Sequence, residues 1–263
     1  MRLRRQYLTK NDCYRTDRTI QVQGVMVHST GANNPRVSRY VPGDQEMGFN
    51  TADNHWDRPG LTKCVHAFVG KFADGEPGTV QTLPWTHRGW HAGGAANNTH
   101  IGFEICEDGL DDPVYFQKIY EESVQLTAML CRQFKLDPLA EGVVICHAEG
   151  HQLGIASQHV DVLHWFPKRG KSMDDFRQDV AARLREDPEP EEPEEEGGDG
   201  GVTYEQWKEF MERYRQELAQ LPSPDWGLEE LERGVAQGFT DGQRPQDLAT
   251  RQEVVSMIVR AEK

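Results

Sequence analysis

No run in this chain approaches the roughly 20 consecutive apolar residues that a membrane-spanning helix requires, so no segment reads as transmembrane. The basic start, MRLRRQYLTKNDCYR, also lacks the apolar centre of a signal peptide. Cysteine is scarce: Cys13, Cys64, Cys106, Cys131 and Cys146 are odd in number and widely scattered, which argues against a disulfide framework. Three of them lie in apolar runs, and all read as reduced, small core residues. Basic charge is in deficit, 29 Lys and Arg against 43 Asp and Glu for a net charge of -14, which excludes a general nucleic-acid binder. No internal repeat is apparent. These absences leave a protein without membrane or nucleic-acid partners, made in the cytoplasm.

Much of the acidic excess lies in one stretch, EDPEPEEPEEEGGDGG, residues 186–201. Repeated proline, like charge and terminal glycines give it nothing to bury, so it reads as an extended spacer of roughly 50 Å at most. It divides the 263 residues into a domain of residues 1–185 and a smaller one of residues 202–263.

In the first domain the β-rich run Val22 to Val27 leads directly into His28 and predicts a buried strand. Val65 to Val69 and Ile101 to Ile105 predict two more, and Thr79 to Leu83 follows the turn signal ADGEPG. Helices are predicted over Val114 to Phe134, with an apolar stripe through Ile119, Val124, Leu126, Met129, Leu130 and Phe134, and over Met173 to Leu184 behind Ser172 as N-cap. The fold class is α/β: a mixed central β-sheet flanked by helices, with a small helical domain at the C-terminus.

The histidines are unevenly placed, and His147, His151, His159 and His164 fall in the stretch CHAEGHQLGIASQHVDVLHWF. His147 and His151, at i and i+4, share the spacing of H-E-x-x-H zinc sites, but Ala148 stands where that motif needs Glu. A stronger constellation joins His28 at a strand end, His147 after the apolar VVIC run, and Asp161 beyond a short loop. Two imidazoles and a carboxylate leave zinc a fourth position for water, as hydrolytic zinc needs. His159 and His164 compete with Asp161 for the third place.

VMVHSTGA, CVHAFVGKFADGEPGTVQTLPWTHRGWHAG and NNTHIGFEICED resemble, in order and spacing, successive blocks of the type 2 N-acetylmuramoyl-L-alanine amidase family, related to peptidoglycan recognition proteins and phage amidases. The resemblance implies Zn2+ held by His28, His147 and Asp161, and a catalytic carboxylate at Glu104 in the G-[IF]-E-I block. Glu104 alternates with Phe103 and Ile105 and so should face away from them, placed to take a proton from water and return it to the leaving amine. Many family members carry Lys two residues before the third ligand; here His159 stands there, an imidazole able to stabilise an oxyanion. His66, His91 and Trp90 sit in blocks that line the family's cleft, which implies contact with substrate, and Trp85 and Trp165 are further candidates for an apolar wall.

In residues 202–263, Tyr204, Trp207, Phe210, Met211, Tyr214 and Leu218 are spaced for one apolar helix face. The remainder resembles a single surface-layer-homology-like module, the matching residues being Trp226, Gly234, Gly238, Thr250, Arg251 and Val254. That implies either binding to a secondary cell-wall polymer or pairing with a second copy. The expected activity is zinc-dependent hydrolysis of the amide between N-acetylmuramic acid and L-alanine in bacterial peptidoglycan, by a phage endolysin that lyses its host after release from the cytoplasm. The alternatives are a module that binds muropeptide without cutting it, and a zinc peptidase acting within the stem peptide.

Overall fold

The computed structural model describes residues 1–186, 204–224, 227–243 and 245–246. The chain divides into two compact units, Met1–Pro190 and Glu191–Lys263. The acidic stretch after Glu186 and the module residues Trp226, Thr250, Arg251 and Val254 lie outside the described residues, while Gly234 and Gly238 lie within them.

The first unit runs β1 (Leu3–Arg5), α1 (Asp12–Arg15), β2 (Gly24–Ser29), β3 (Ala67–Lys71), β4 (Pro77–Gln81), β5 (His100–Ile105), α2 (Pro113–Gln133), β6 (Val144–Cys146), α3 (His147–Gln152) and α4 (Met173–Glu186), with short 3-10 turns between them. The six strands form one mixed sheet in the order β1-β4-β3-β5-β2-β6. Only the β3–β4 hairpin is antiparallel; β2 pairs in parallel with both β5 and β6, so these three strands present their carboxyl ends at the same edge. The four strands expected from sequence are present with ends shifted by two residues or fewer, and β1 is an edge strand that its basic LRR sequence did not announce.

Side-chain alternation separates the two faces of the sheet. Val25, Val27, Ala67, Val69, Ile101, Phe103 and Ile105 point into a core with Tyr115, Phe116, Ile119, Leu126 and Leu130 of α2 and Phe176 and Val180 of α4. The opposite face is covered by loops, and there Phe68 and Val80 pack with Tyr40, Val41 and Trp56. His28 and Glu104 belong to that loop-covered face, one step out of phase with the helical core. All five cysteines are free and buried.

The helices that frame the site are closed by local chemistry. Asp112 caps α2 by accepting from Val114 N and Tyr115 N, with Pro113 in the first turn. At its other end Lys135 turns left-handed (φ 53°), Leu136 N donates to Cys131 O and Lys135 N to Arg132 O, a Schellman closure made without glycine. Ser172 Oγ accepts from Asp175 N at 3.1 Å and the Asp175 carboxylate accepts from Ser172 N at 2.8 Å, a reciprocal cap for α4. In α3, Glu149 accepts from Cys146 N at 2.9 Å and is gripped by Arg177 of α4 at 3.0 and 3.1 Å. That pair fixes where α3, and therefore His147, begins.

In the second unit, α5 (Tyr204–Gln220) carries the expected apolar face, and Tyr204, Trp207, Phe210 and Tyr214 are exposed on it. α6 (Leu228–Ala236) ends at Gly238, whose φ of 74° needs glycine, with Phe239 N donating to Gly234 O. No helix among the described residues is long and apolar enough to cross a membrane.

Candidate metal centre and catalytic site

Three polar atoms converge at the carboxyl edge of the sheet. His28 is the fifth residue of β2, Glu104 is its Cα partner on β5, and His147 follows β6 immediately. Asp161 opens the 3-10 turn Asp161–His164 and holds φ at 37°, a left-handed value uncommon for a residue with a side chain. Asp161 Oδ2 lies 2.9 Å from His28 Nδ1 and 3.0 Å from His147 Nδ1, and the two Nδ1 atoms are 3.2 Å apart. Ligands held tetrahedrally at about 2.0–2.1 Å from a zinc ion sit about 3.3 Å from one another, so this triangle fits the ion. Among the described residues, His28, His147 and Asp161 are the one group of His, Cys, Asp and Glu with atoms placed to share a metal. The residues called from sequence as the ligands are thus brought together.

Charge in the triangle is consistent with that role. Burial pushes the His28 imidazole below its usual pKa, which favours the neutral ring that a metal ligand must be. Burial alone would raise the Asp161 carboxyl, yet hydrogen bonds from His147 and His28 hold it below the ordinary carboxylate range. The outer nitrogens are also engaged: His28 Nε2 is 3.0 Å from His91 Nδ1, and His91 Nε2 is 3.1 Å from His100 O. A ligand imidazole whose far nitrogen is hydrogen-bonded keeps one tautomer and one orientation.

Glu104 faces away from Phe103 and Ile105 as alternation requires. Its Oε2 is buried without a hydrogen-bond partner. Burial first, and then the charge of Asp161, push its pKa up to about 8. An unpartnered carboxyl oxygen beside the triad is what a proton-transfer group needs and what a merely structural glutamate avoids.

The other sequence candidates divide. His159 lies against His147 with ring centroids 4.5 Å apart and ring planes tilted by 44°, and is exposed. His164 turns the other way, to Glu107 at 2.9 Å, and His151 is exposed with its Nδ1 near Ala156 O, so neither joins the triangle. His91 supports His28 from behind. His66 is fully buried, its Nδ1 accepting from Gly102 N at 3.0 Å and its Nε2 bonded to His87 O at 2.7 Å; as placed, it has no free nitrogen for substrate. Trp165 is likewise not a cleft wall: it is fully buried and packs on Tyr115 and Phe116. Trp90 and Trp85 are half-buried, Trp90 pairing through its backbone with Cys64.

The sequence gives no sign of the supporting roles of two residues, Glu107, which is a weaker candidate than Glu104 for the catalytic carboxylate, and Ser157. Glu107, which reads as a loop residue, is buried and ties Gly31 N, at 3.1 Å, to His164, thereby joining the exit of β2 to the turn that carries Asp161. Ser157 contacts His147 Nε2 at 3.2 Å, and nothing in its local sequence marks it. Its signal is spatial, since its partners lie in three separate segments.

An open mixed sheet that gathers two imidazoles, a low-pKa carboxylate and a glutamate with an unpartnered carboxyl oxygen at one edge defines an α/β protein with a candidate hydrolase-type centre. The family model for N-acetylmuramoyl-L-alanine amidase matches residues 18–164, more than half of the chain, and the protein belongs to that family. Among solved structures, the Staphylococcus aureus hydrolase AmiA in complex with its ligand aligns over 71% of this chain and 85% of that one, at 16% identity and a TM-score of 0.53. A point mutant of PlyL aligns over 69% of this chain and 99% of that one, at 18% identity and a TM-score of 0.50. At these identities the likeness is one of fold. No curated protein matches the chain.

Proposed function

We propose that the protein is a zinc-dependent N-acetylmuramoyl-L-alanine amidase that cuts the amide between the lactyl group of N-acetylmuramic acid and L-alanine in bacterial peptidoglycan. The observation that carries this reading is the triangle of His28 Nδ1, His147 Nδ1 and Asp161 Oδ2, with edges of 2.9–3.2 Å, beside Glu104, whose Oε2 is buried without a hydrogen-bond partner. When bound there, zinc supplies Lewis-acid polarisation of water and of an amide carbonyl. With the charge of a bound zinc opposing the burial and the Asp161 repulsion that raise its pKa, Glu104 would be ionised, and its Oε2 accepts a proton from the attacking water and passes it to the departing nitrogen of L-alanine. His159, its Nδ1–H donated to Ser157 Oγ, offers a second proton on Nε2 when it is an imidazolium, and in that form it can stabilise the oxygen that gains charge as the carbonyl is attacked. His91 and Ser157 hold the two ligand rings in orientation from outside.

The wider role we infer is host lysis by a phage, with the enzyme made in the host cytoplasm and acting on the wall after release. Residues 202–263 serve it as a wall-polymer-binding or self-pairing module beyond the acidic spacer of residues 186–201. Mass spectrometry of digested peptidoglycan tests the activity. Free stem peptides beginning at L-alanine, with glycan strands intact, are expected. Cleavage only within the stem peptide would make it a peptidase, and binding without products would make it a recognition module.

A further inference from the structure

Ser157 stands at a junction that the ligand set does not explain. Its Oγ is 3.2 Å from His147 Nε2, 3.2 Å from His159 Nδ1 and 3.2 Å from Ala92 O, and its N–H donates to Ala92 O at 2.9 Å. A hydroxyl has one proton and two lone pairs, so three contacts use its full capacity. With a metal on His147 Nδ1, the proton of that ring would sit on Nε2 and be donated to Ser157 Oγ.

The serine is also built in. Gly93 adopts φ 63°, and a Cβ on it would come within 2.6 Å of Ser157 Oγ, so the hydroxyl occupies space that only glycine leaves open. On the preceding residues, Ala96 N donates to Ile155 O at 2.9 Å, and Ile155 N and Ala156 N both donate to Gly150 O. The loop between α3 and Asp161 is thereby held down where Ser157 meets the His91–Gly94 segment. Through Ser157, that segment supports His147; through His91, it supports His28.

We propose that Ser157 is a positioning residue that orients two imidazoles at once, the ligand ring of His147 and the reactive ring of His159. The inference rests on the amidase reading above. Removing the hydroxyl leaves His147 Nε2–H without an acceptor, which weakens the ligand and frees the ring to turn. It also removes the partner that sets the tautomer and direction of His159.

The test uses the full chain as parent, with Ser157→Ala, Ser157→Thr, His159→Ala and the Ser157→Ala, His159→Ala double variant. Zinc affinity is measured by competition with a chromophoric chelator, and turnover on solubilised peptidoglycan at saturating zinc. Ser157→Ala is expected to weaken zinc binding roughly 10- to 100-fold and to lower kcat with KM unchanged. Ser157→Thr, which keeps the hydroxyl, should recover most of both. In the His159→Ala background, Ser157→Ala should cost the same zinc affinity but no further kcat, since the ring it aims is gone. Should Ser157→Ala fail to fold in zinc-free circular dichroism, Ser157→Thr against Ser157→Val carries the same comparison at matched shape. Zinc affinity within twofold of the parent for the variant lacking the hydroxyl overturns the role toward His147. An undiminished kcat loss in the His159→Ala background overturns the role toward His159. A parent that binds no zinc or leaves the amide intact defeats the amidase reading instead, so the two failures are distinguishable.

Discussion

His66 provides a sharp test of how the floor of the site is held, through acid stability. Both of its ring nitrogens bond to backbone, Nδ1 accepting from Gly102 N and Nε2–H donating to His87 O, and burial lowers its pKa from 6.5 to about 4. Between those values the unfolded chain binds the proton and the folded one does not. The associated stability is therefore complete above about pH 6.5 and falls as the solution is acidified toward pH 4. Taking 6.5 and about 4 as the two pKa values, the loss is about 2 kcal/mol at pH 5 and about 3 kcal/mol at pH 4. For a protein of this size, about 2 kcal/mol lowers Tm by roughly 4–8 °C. The perturbation is His66→Asn, whose side-chain oxygen can still accept from Gly102 N but which does not titrate. It leaves His87 O short of a donor, a cost of about 1–3 kcal/mol at every pH. Urea unfolding of parent and variant at pH 8, 6 and 5, with chelator present so that metal release adds nothing, separates the two effects. The variant should start less stable and lose about 2 kcal/mol less between pH 8 and 5. His28, His91 and His100, also lowered by burial, acidify both proteins equally and cancel. Equal losses in parent and variant would refute the argument and return His66 to the list of candidate substrate residues.

Glu104→Gln keeps the shape of the side chain and removes the proton acceptor, so zinc content by elemental analysis should be unchanged while turnover drops roughly 10²–10⁴-fold. Asp161→Ala removes a ligand; zinc should leave on dialysis and the zinc-dependent rise in Tm should disappear with it. His159→Ala should keep its zinc and lose rate alone, and loss of the metal from that variant would mean that the third ligand lies two residues earlier than assigned. A chain ending at Glu186 retains α4 and its buried Phe176 and Val180, so it should fold and cleave soluble fragments as the full protein does, yet sediment less with intact walls; equal sedimentation would remove the case for a wall-binding module.

What was legible in the sequence followed from local chemistry. Strands β2, β3 and β5 announce themselves because β-branched and aromatic runs must be buried, and α2 because a recurrent apolar stripe runs from Ile119 to Phe134. His28 and Glu104 could be placed because each occupies a strand position whose facing is set by alternation. The rest depended on residues far apart in the chain. The resemblance of sequence blocks suggested a cleft position for His66, and Trp165 was a candidate for an apolar wall, whereas tertiary packing buries both; a buried histidine bonded to backbone looks the same in sequence as one that touches substrate. Glu107 and Ser157 were missed for the converse reason: each is an ordinary loop residue until Gly31, His164, His147 and Ala92 arrive around it. Lys135 closes α2 in a left-handed turn without the usual glycine signal, yet the end of the helix was readable to within one residue because the apolar stripe stops at Phe134.

The parallel arrangement of β2, β5 and β6 bears on how such a protein can diverge. His28 and His147 are 119 residues apart in the chain, yet their spacing is set by neighbouring strand ends. Insertions or deletions in the intervening loops, including the long excursion over residues 31–66, can therefore rebuild the walls around the substrate without disturbing either imidazole. Asp161 lacks that insulation. It rides on a short turn with a left-handed backbone and depends on the loop before it, so length changes between residues 152 and 161 reach it directly. Over evolutionary drift the two histidines should stay in place, and the third ligand should be the one whose identity and spacing wander.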